Sequence, residues 1–243
     1  MNQPGTNDLN TLLEQLAVHS KQSLSDLSQA SNKQLVALLN QLDIAEPPQR
    51  WQDHIIVDHL KQARNVLDLG CGTGDLLLAL AHNGIRGQGV ELDNDAVMTC
   101  VERGVSVIHS DLSLGLKSFP DNSVDAVVCE QTLQTLTRPI LLLEEMLRVG
   151  RLAIASFPNF GYWRIRLDLA LRGRMPSSHN LPHHWYDTPN IHLFTIADFH
   201  DWIKQHGYRI DAAWVLADGL VRPYADGDNL LAEEALFVLE SLS

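Results

Sequence analysis

Residues 66–77 read VLDLGCGTGDLL, an apolar strand that runs into Gly70, Gly72 and Gly74 and turns at once into a helix. Glycine lets a backbone turn sharply and approach a ligand, because no Cβ stands in the way. The helix start behind the loop presents free N–H groups and the positive end of the helix dipole. An acidic strand end follows at GVELD, with Glu91 placed 21 positions after Gly70. At that distance in a Rossmann-like fold a carboxylate reaches the ribose hydroxyls of a nucleoside.

Around this motif, from Arg64 onward, short apolar strands alternate with helical patterns, which predicts a parallel sheet with crossover helices. Strands are expected near 65–69, 87–91, 105–109, 124–129 and 151–156, with helices near 74–83, 94–103 and 139–148. A further helix starts at Thr195 or Asp198 and ends at Gly207. Strands near 208–216 and 234–240 then complete a seven-stranded α/β sheet, joined by the long connection ADGLVRPYADGDNLLAEEA.

Residues 1–50 read as an N-terminal helical extension and linker, and 51–243 as the main domain. Asp8 is the expected cap of a helix carrying Leu9, Leu12, Leu13 and Leu16. Ser31 is the expected cap of a second, carrying Leu35, Leu38, Leu39 and Leu42, which Pro47 and Pro48 stop. Helices this short must bury their leucines on each other, on the main domain or on a partner chain, so a homo-oligomer built through them is a possibility. Hydrophobic residues make up 45% of the chain, enough for a folded core. The net charge of -12 disfavours broad capture of nucleic acid or an anionic membrane. No apolar run is long enough to span a bilayer, and the N-terminus lacks a signal-peptide pattern. Cys71, Cys100 and Cys129 are odd in number and widely spaced, as expected of a cytoplasmic protein.

The glycine spacing departs from the dinucleotide pattern. A dinucleotide fingerprint is G-x-G-x-x-G, whereas this loop is G-x-G-x-G with Asp68 two residues ahead. The stretch resembles motif I of the class I S-adenosylmethionine (SAM) methyltransferases, and the resemblance covers about residues 64–157. It implies a Rossmann-like seven-stranded methyltransferase fold binding SAM or S-adenosylhomocysteine (SAH). Asp68, Gly70, Cys71, Gly72 and Gly74 would hold the methionine moiety and Glu91 the ribose. Asp111, in IHSDL, would meet the adenine amino group, with Leu112 also among the cofactor-binding residues. After the fourth strand the chain reads CEQTLQTL rather than an N-P-P-Y-like stretch, which disfavours methylation of nucleic-acid bases. Glu130 and Gln131 stand where a substrate would be met, or simply pack and cap a strand end.

Three longer runs narrow the resemblance: QTLQTLTRPILLLEEMLRVGR, SFPNFGYWRIRLDLALRGRMP and LPHHWYDTPNIHLFTIADF. They resemble the methionine biosynthesis protein MetW family over roughly residues 64–215. The leader and the acidic connection near 217–234 depart from its compact form. The resemblance implies an accessory partner, or activator, of homoserine O-acyltransferase. The alternative that the fold implies is a methyltransferase acting on a small molecule.

The stretch HHWYDTPNIHLFT (183–195) fits no common zinc spacing, so no metal site is expected. His184 and His192, with Glu130, are the candidate acid–base groups if this segment folds over the sheet's carboxyl edge. Pro176, Pro182 and Pro189 stiffen it, and it reads as a lid-like loop that also helps recognise a partner or substrate. Upstream, Arg164, Arg166, Arg172 and Arg174 form a basic, helix-like cluster beside Trp163. It is either a solvated helix face or a surface for an acidic partner.

Overall fold

The computed structural model describes residues 9–42, 50–176 and 183–241. Asp8, Pro47, Pro48 and Pro182, to which the sequence assigns a cap, a helix stop and a stiffening role, lie outside the described residues. Three helices come first: α1 (Leu9–Ser20), α2 (Leu24–Gln29) and α3 (Asn32–Gln41). Next come α4 (Trp51–His59), β1 (Asn65–Leu69), α5 (Asp75–His82), β2 (Arg86–Glu91), α6 (Asn94–Glu102) and β3 (Val107–His109). The middle of the chain forms β4 (Val124–Glu130), α7 (Pro139–Val149), β5 (Gly150–Pro158) and α8 (Trp163–Arg172). The remainder is α9 (Ile196–His206), β6 (Arg209–Ala217), β7 (Leu220–Pro223), α10 (Asp228–Leu231) and β8 (Glu234–Glu240).

Local chemistry explains the boundaries. Ser31 caps α3 and Gln34 closes the box by accepting from the Ser31 N–H. Thr195, not Asp198, caps α9; Asp198 is its reciprocal partner, and Gly207 ends the helix at φ +71°.

The strands form one sheet in the order β3-β2-β1-β4-β5-β8-β6-β7. β1 to β5 are parallel, whereas β8 runs antiparallel between β5 and β6. The expected count of seven is therefore corrected to eight. The additional strand, β7, lies inside the acidic connection and pairs antiparallel with β6 through Ala217↔Leu220. The residues between them are Asp218 (φ +52°) and Gly219 (φ +73°), an Asp-Gly pair whose left-handed backbone matches a tight hairpin turn. The chain leaves β1 and β4 toward opposite sides of the sheet, α5 and α7 lying in different cores, which marks the switch point at whose carboxyl ends open α/β sheets bind ligands.

Each sheet face carries its own core. α4, α5 and α6 cover one through Ile56, Leu76, Leu80 and Cys100. α7 and α9 cover the other through Leu142, Met146, Phe199 and Ile203. A third cluster joins the leader to the main body: Leu12, Leu13, Leu16, Leu27, Leu35 and Leu39 pack with Tyr162, Trp163 and Leu167 of the α8 region. Most of the leader's leucines are therefore buried against its own chain, while Leu9, Val18 and Leu24 keep exposed apolar surface. The basic cluster is engaged within the chain as well. Arg164 donates to the carbonyls of Leu39 and Leu42, Arg166 to that of Asn229, and Arg172 pairs with Asp168 and Asn40. Three of its four arginines therefore tie α8 to its own chain, and one of these, Arg172, is neutralised by a carboxylate.

The two departures from the compact pattern meet each other. His19 of α1 lies 2.8 Å from Asp218 in the β6–β7 turn, and its ring packs 4.8 Å from Trp163.

Candidate functional site

The loop after β1 is bonded to the end of β2. Gly70 N–H donates to Val90 O (2.8 Å) and Gly72 N–H to Glu91 Oε2 (2.8 Å). The other oxygen of Glu91 accepts from Leu92 N–H (2.7 Å) and Asp93 N–H (2.9 Å). A carboxylate has about four lone-pair sites, so Glu91 keeps one on Oε2 for a ligand hydroxyl. Accepting a second hydroxyl there requires a backbone N–H to let go.

The glycines have two different reasons to be glycine. Gly70 (φ +71°) lies so close to Thr132 that a Cβ would stand 2.6 Å from its Oγ1. Gly89 on β2 likewise leaves its Cβ position to the Cys71 sulfur. Gly72 (φ +53°) has nothing within 4 Å on that side, so the outer face of the loop is open. A backbone that is tight below and open above is a cradle for an extended ligand.

Charge around this cradle is acidic and partly buried. Asp68, at the end of β1, is 3% exposed, and burial pushes its carboxyl up to about 7 against the pull of Arg50. Glu130, at the end of β4, is raised well above the ordinary carboxylate range by burial and by the carboxylates of Asp68 and Asp53. The cation nearest the buried carboxylates is Arg50, just ahead of α4. Its Nε lies 2.5 Å from Asp53 and its Nη2 2.9 Å from the same carboxylate, with Glu130 at 3.7 Å and Asp75 at 4.0 Å. Asp75 is held more closely by Arg103 (2.7 Å), which also donates to Thr73 O (2.6 Å) in the loop; a set of several carboxylates with guanidinium groups beside them suits a ligand that carries positive charge and one carboxylate.

A second carboxylate fixes α4 above the site. Glu234 Oε2 accepts from Trp51 Nε1 (2.9 Å), Gln52 Nε2 (2.8 Å) and Gln131 Nε2 (3.0 Å). Arg50 (φ +52°) and Gln131 (φ +47°) are both held in left-handed backbone, and both side chains serve this same edge.

The sequence reading missed Arg50, Asp53 and Glu234. A signal existed for α4: Trp51, Ile55, Ile56 and Leu60 recur at helical spacing and all turn inward. For Glu234 there was none, since its three donors come from distant parts of the chain.

Of the residues singled out from sequence, Asp68, Gly70, Cys71, Gly72, Gly74 and Glu91 come together here. Asp111 follows β3 beside them, where the Ser110 N–H donates to Glu91 O (3.0 Å). The Asp111 carboxylate is held below its usual range by the backbone N–H of Ser113 (2.8 Å), and Leu112 beside it is buried. Glu130 joins the acidic cluster. The two histidines do not hydrogen-bond to any of these residues. His184 is exposed and stacks on Tyr186 at 5.3 Å. His192 lies beyond Gln134, whose carbonyl accepts the N–H of Ile191 and of His192. Among the described residues no group of three or more metal-ligating side chains is assembled, and no helix is long and apolar enough to cross a membrane.

The raised Asp68 carboxyl has a definite pH consequence. Its folded value lies above the unfolded one, so the stability it permits is complete below about pH 4 and declines as pH rises toward about 7. Asp68→Asn should remove this decline, which one such proton sets at up to about 1.4 kcal/mol per pH unit. Parallel denaturant titrations of the two proteins between those limits check it, and a constant difference between them would refute it.

Comparison with known proteins now bears on the site. Residues 50–239 match the family described as methionine biosynthesis protein MetW. A bifunctional methionine biosynthesis protein MetXA/MetW from Rhodopirellula baltica is 39% identical over 194 residues, covering 74% of this chain and 31% of that protein. The chain thus spans about a third of the curated relative it matches. Among solved structures, a SAM-dependent methyltransferase from Methanosarcina mazei aligns with TM-score 0.58 and 18% identity, over 77% of this chain and 97% of that one. Magnesium protoporphyrin IX methyltransferase from Synechocystis, solved with bound SAH, aligns with TM-score 0.56 and 15% identity, over 79% and 83%. The fold is that of the class I SAM-dependent methyltransferases.

Proposed function

The chain belongs to the MetW family of methionine biosynthesis proteins, and from that premise we propose that it is a SAM-binding partner of homoserine O-acyltransferase. The observation that carries the partnership is the Rhodopirellula relative, in which MetXA and MetW occur in one polypeptide of which this chain covers 31%. A covalent fusion keeps two activities at high mutual concentration, as a stable complex does for separate chains.

The cofactor part of the reading rests on the chemistry of the cradle. SAM carries an ammonium, a sulfonium and a carboxylate. Asp68 faces the cationic amino-acid end, and Arg50, which is paired with Asp53, is the nearby counter-charge for the carboxylate. Gly70, Cys71, Gly72 and Gly74 bring the backbone along the methionine moiety. Glu91 offers its remaining lone pair to the ribose, and Asp111 and Leu112 border the adenine end. When bound, the cofactor would supply an activated methyl group; the chain's own residues position it and hold the surrounding charge.

A second reading, a small-molecule methyltransferase, is favoured by one observation. Glu130 is a buried carboxyl of raised pKa at the end of β4, beside the cradle, and such a group is suited to take a proton from an incoming nucleophile.

Mixing the protein with the homoserine O-acyltransferase of the same organism distinguishes the readings. A large rise in acyl transfer at near-stoichiometric amounts, with co-elution, is the expected result. No rise and no co-elution, together with SAH release from an added acceptor, would turn the assignment to the second reading.

A further inference from the structure

On the sheet face away from α4, a cavity of about 560 Å³ opens between α7 and α9. Leu133, Pro139, Ile140, Phe194, Phe199 and Trp202 make its walls apolar. Two charged residues also line it. Asp198 is engaged, its carboxylate accepting from the N–H and hydroxyl of Thr195. Arg138 is exposed and has no ion pair or side-chain hydrogen bond among the described residues. A chain of net charge -12 therefore presents an uncommitted cation at an apolar cavity.

One wall continues outward as the segment quoted from sequence. His192 and Phe194 line the cavity, while Ile191 and Leu193 turn outward, each 54% exposed. Upstream, Trp185 is 77% and Tyr186 68% exposed. They meet edge to face at 5.6 Å, with His184 stacked on Tyr186, so the rings are assembled with each other and not with the core. Large exposed aromatic side chains, on the segment that runs on into the wall of an apolar cavity with a free arginine, are the composition of a protein-binding hot spot. A small molecule inside the cavity would leave these rings in water, whereas a protein surface would cover them.

We infer that this surface, the α7–α9 cavity together with the 183–193 loop, is where the acyltransferase partner docks. An aliphatic or aromatic side chain of the partner enters the cavity, and a partner carboxylate lies over Arg138. The inference rests on the partner reading above and adds its location. It also places the partner close to the cofactor cradle. Gln134, which holds the loop through Ile191 and His192, is two residues from Thr132, which lies against Gly70.

The experiment measures the affinity of the full-length protein for homoserine O-acyltransferase, with SAH affinity as the control for an intact fold. The variants are Ile140→Glu, Arg138→Glu and the double change Trp185→Ala/Tyr186→Ala. The aromatic pair is exposed, so its removal leaves the core untouched. Each variant is expected to weaken the complex about tenfold to a hundredfold while SAH binding stays unchanged. Wild-type protein that does not bind the enzyme would overturn the partner reading itself, and this location with it. Wild-type binding matched within twofold by every variant would overturn only the location. Loss with Ile140→Glu alone, and none with the aromatic pair, would confine the contact to the cavity and overturn the loop as part of the docking surface.

Discussion

Gly70→Ala is expected to weaken SAH binding about a hundredfold while leaving the chain folded. Two costs combine. At φ +71° an alanine occupies left-handed backbone, which costs about 1–2 kcal/mol. Its Cβ would also stand 2.6 Å from Thr132 Oγ1 and 3.0 Å from Cγ2, so the loop or the threonine must shift. The threonine is not free to yield, because its hydroxyl donates to the Glu130 carbonyl at 2.7 Å. Displacement of the loop is the easier response, and it carries Gly72 away from Glu91. Calorimetric titration with SAH reads the loss directly. Adding Thr132→Ala removes the clash but not the backbone strain, and the double variant should recover part of the affinity. Full SAH affinity in Gly70→Ala would show that the ligand does not lie along this loop.

That residue also illustrates what could be known in advance. A G-x-G-x-G run after an apolar strand was legible because its requirement is local: Gly70, Gly72 and Gly74 all take positive φ, which few other residues tolerate. The parallel strands were legible for the same reason, as short apolar runs between turns. What escaped depended on tertiary context. The arginines of α8 announced charge, but their acceptors, the carbonyls of Leu39, Leu42 and Asn229, are contributed by remote segments. His184 and His192 near 183–192 read alike as candidate acid–base groups on a lid-like loop. An exposed turn sends His184 outward, whereas His192 sits where an extended run alternates inward. The cradle's cation, Arg50, precedes a helix whose apolar spacing was present but unassigned. The β7 hairpin carried an Asp-Gly signal that the acidic composition around it obscured.

Trp163→Ala is expected to cost about 3–5 kcal/mol and to lower Tm by roughly 10 °C for a chain of this size. Trp163 is among the largest fully buried side chains and sits where the leader meets the main body. Its ring faces His19 of α1 at 4.8 Å and Tyr162 at 5.7 Å. The informative companion is Leu16→Ala, a fully buried leader residue in the same cluster, for which the expected loss is about 3 kcal/mol. If the leader folds as one cooperative unit with the sheet, both variants shift the global transition and their effects are not additive. If the leader opens separately, Leu16→Ala leaves Tm in place and instead speeds proteolysis of the first three helices. The observed contacts favour the cooperative result. α3 is tied to α8 by Arg164 and Arg172, and α1 reaches the β6–β7 turn through His19 and Asp218, so the leader cannot lift without breaking polar links at both ends. SAH affinity should be unchanged in both variants, because the cradle lies at the carboxyl ends of β1, β2 and β4, outside this cluster. A drop in SAH affinity with Leu16→Ala would mean that the leader reaches the cofactor site as well.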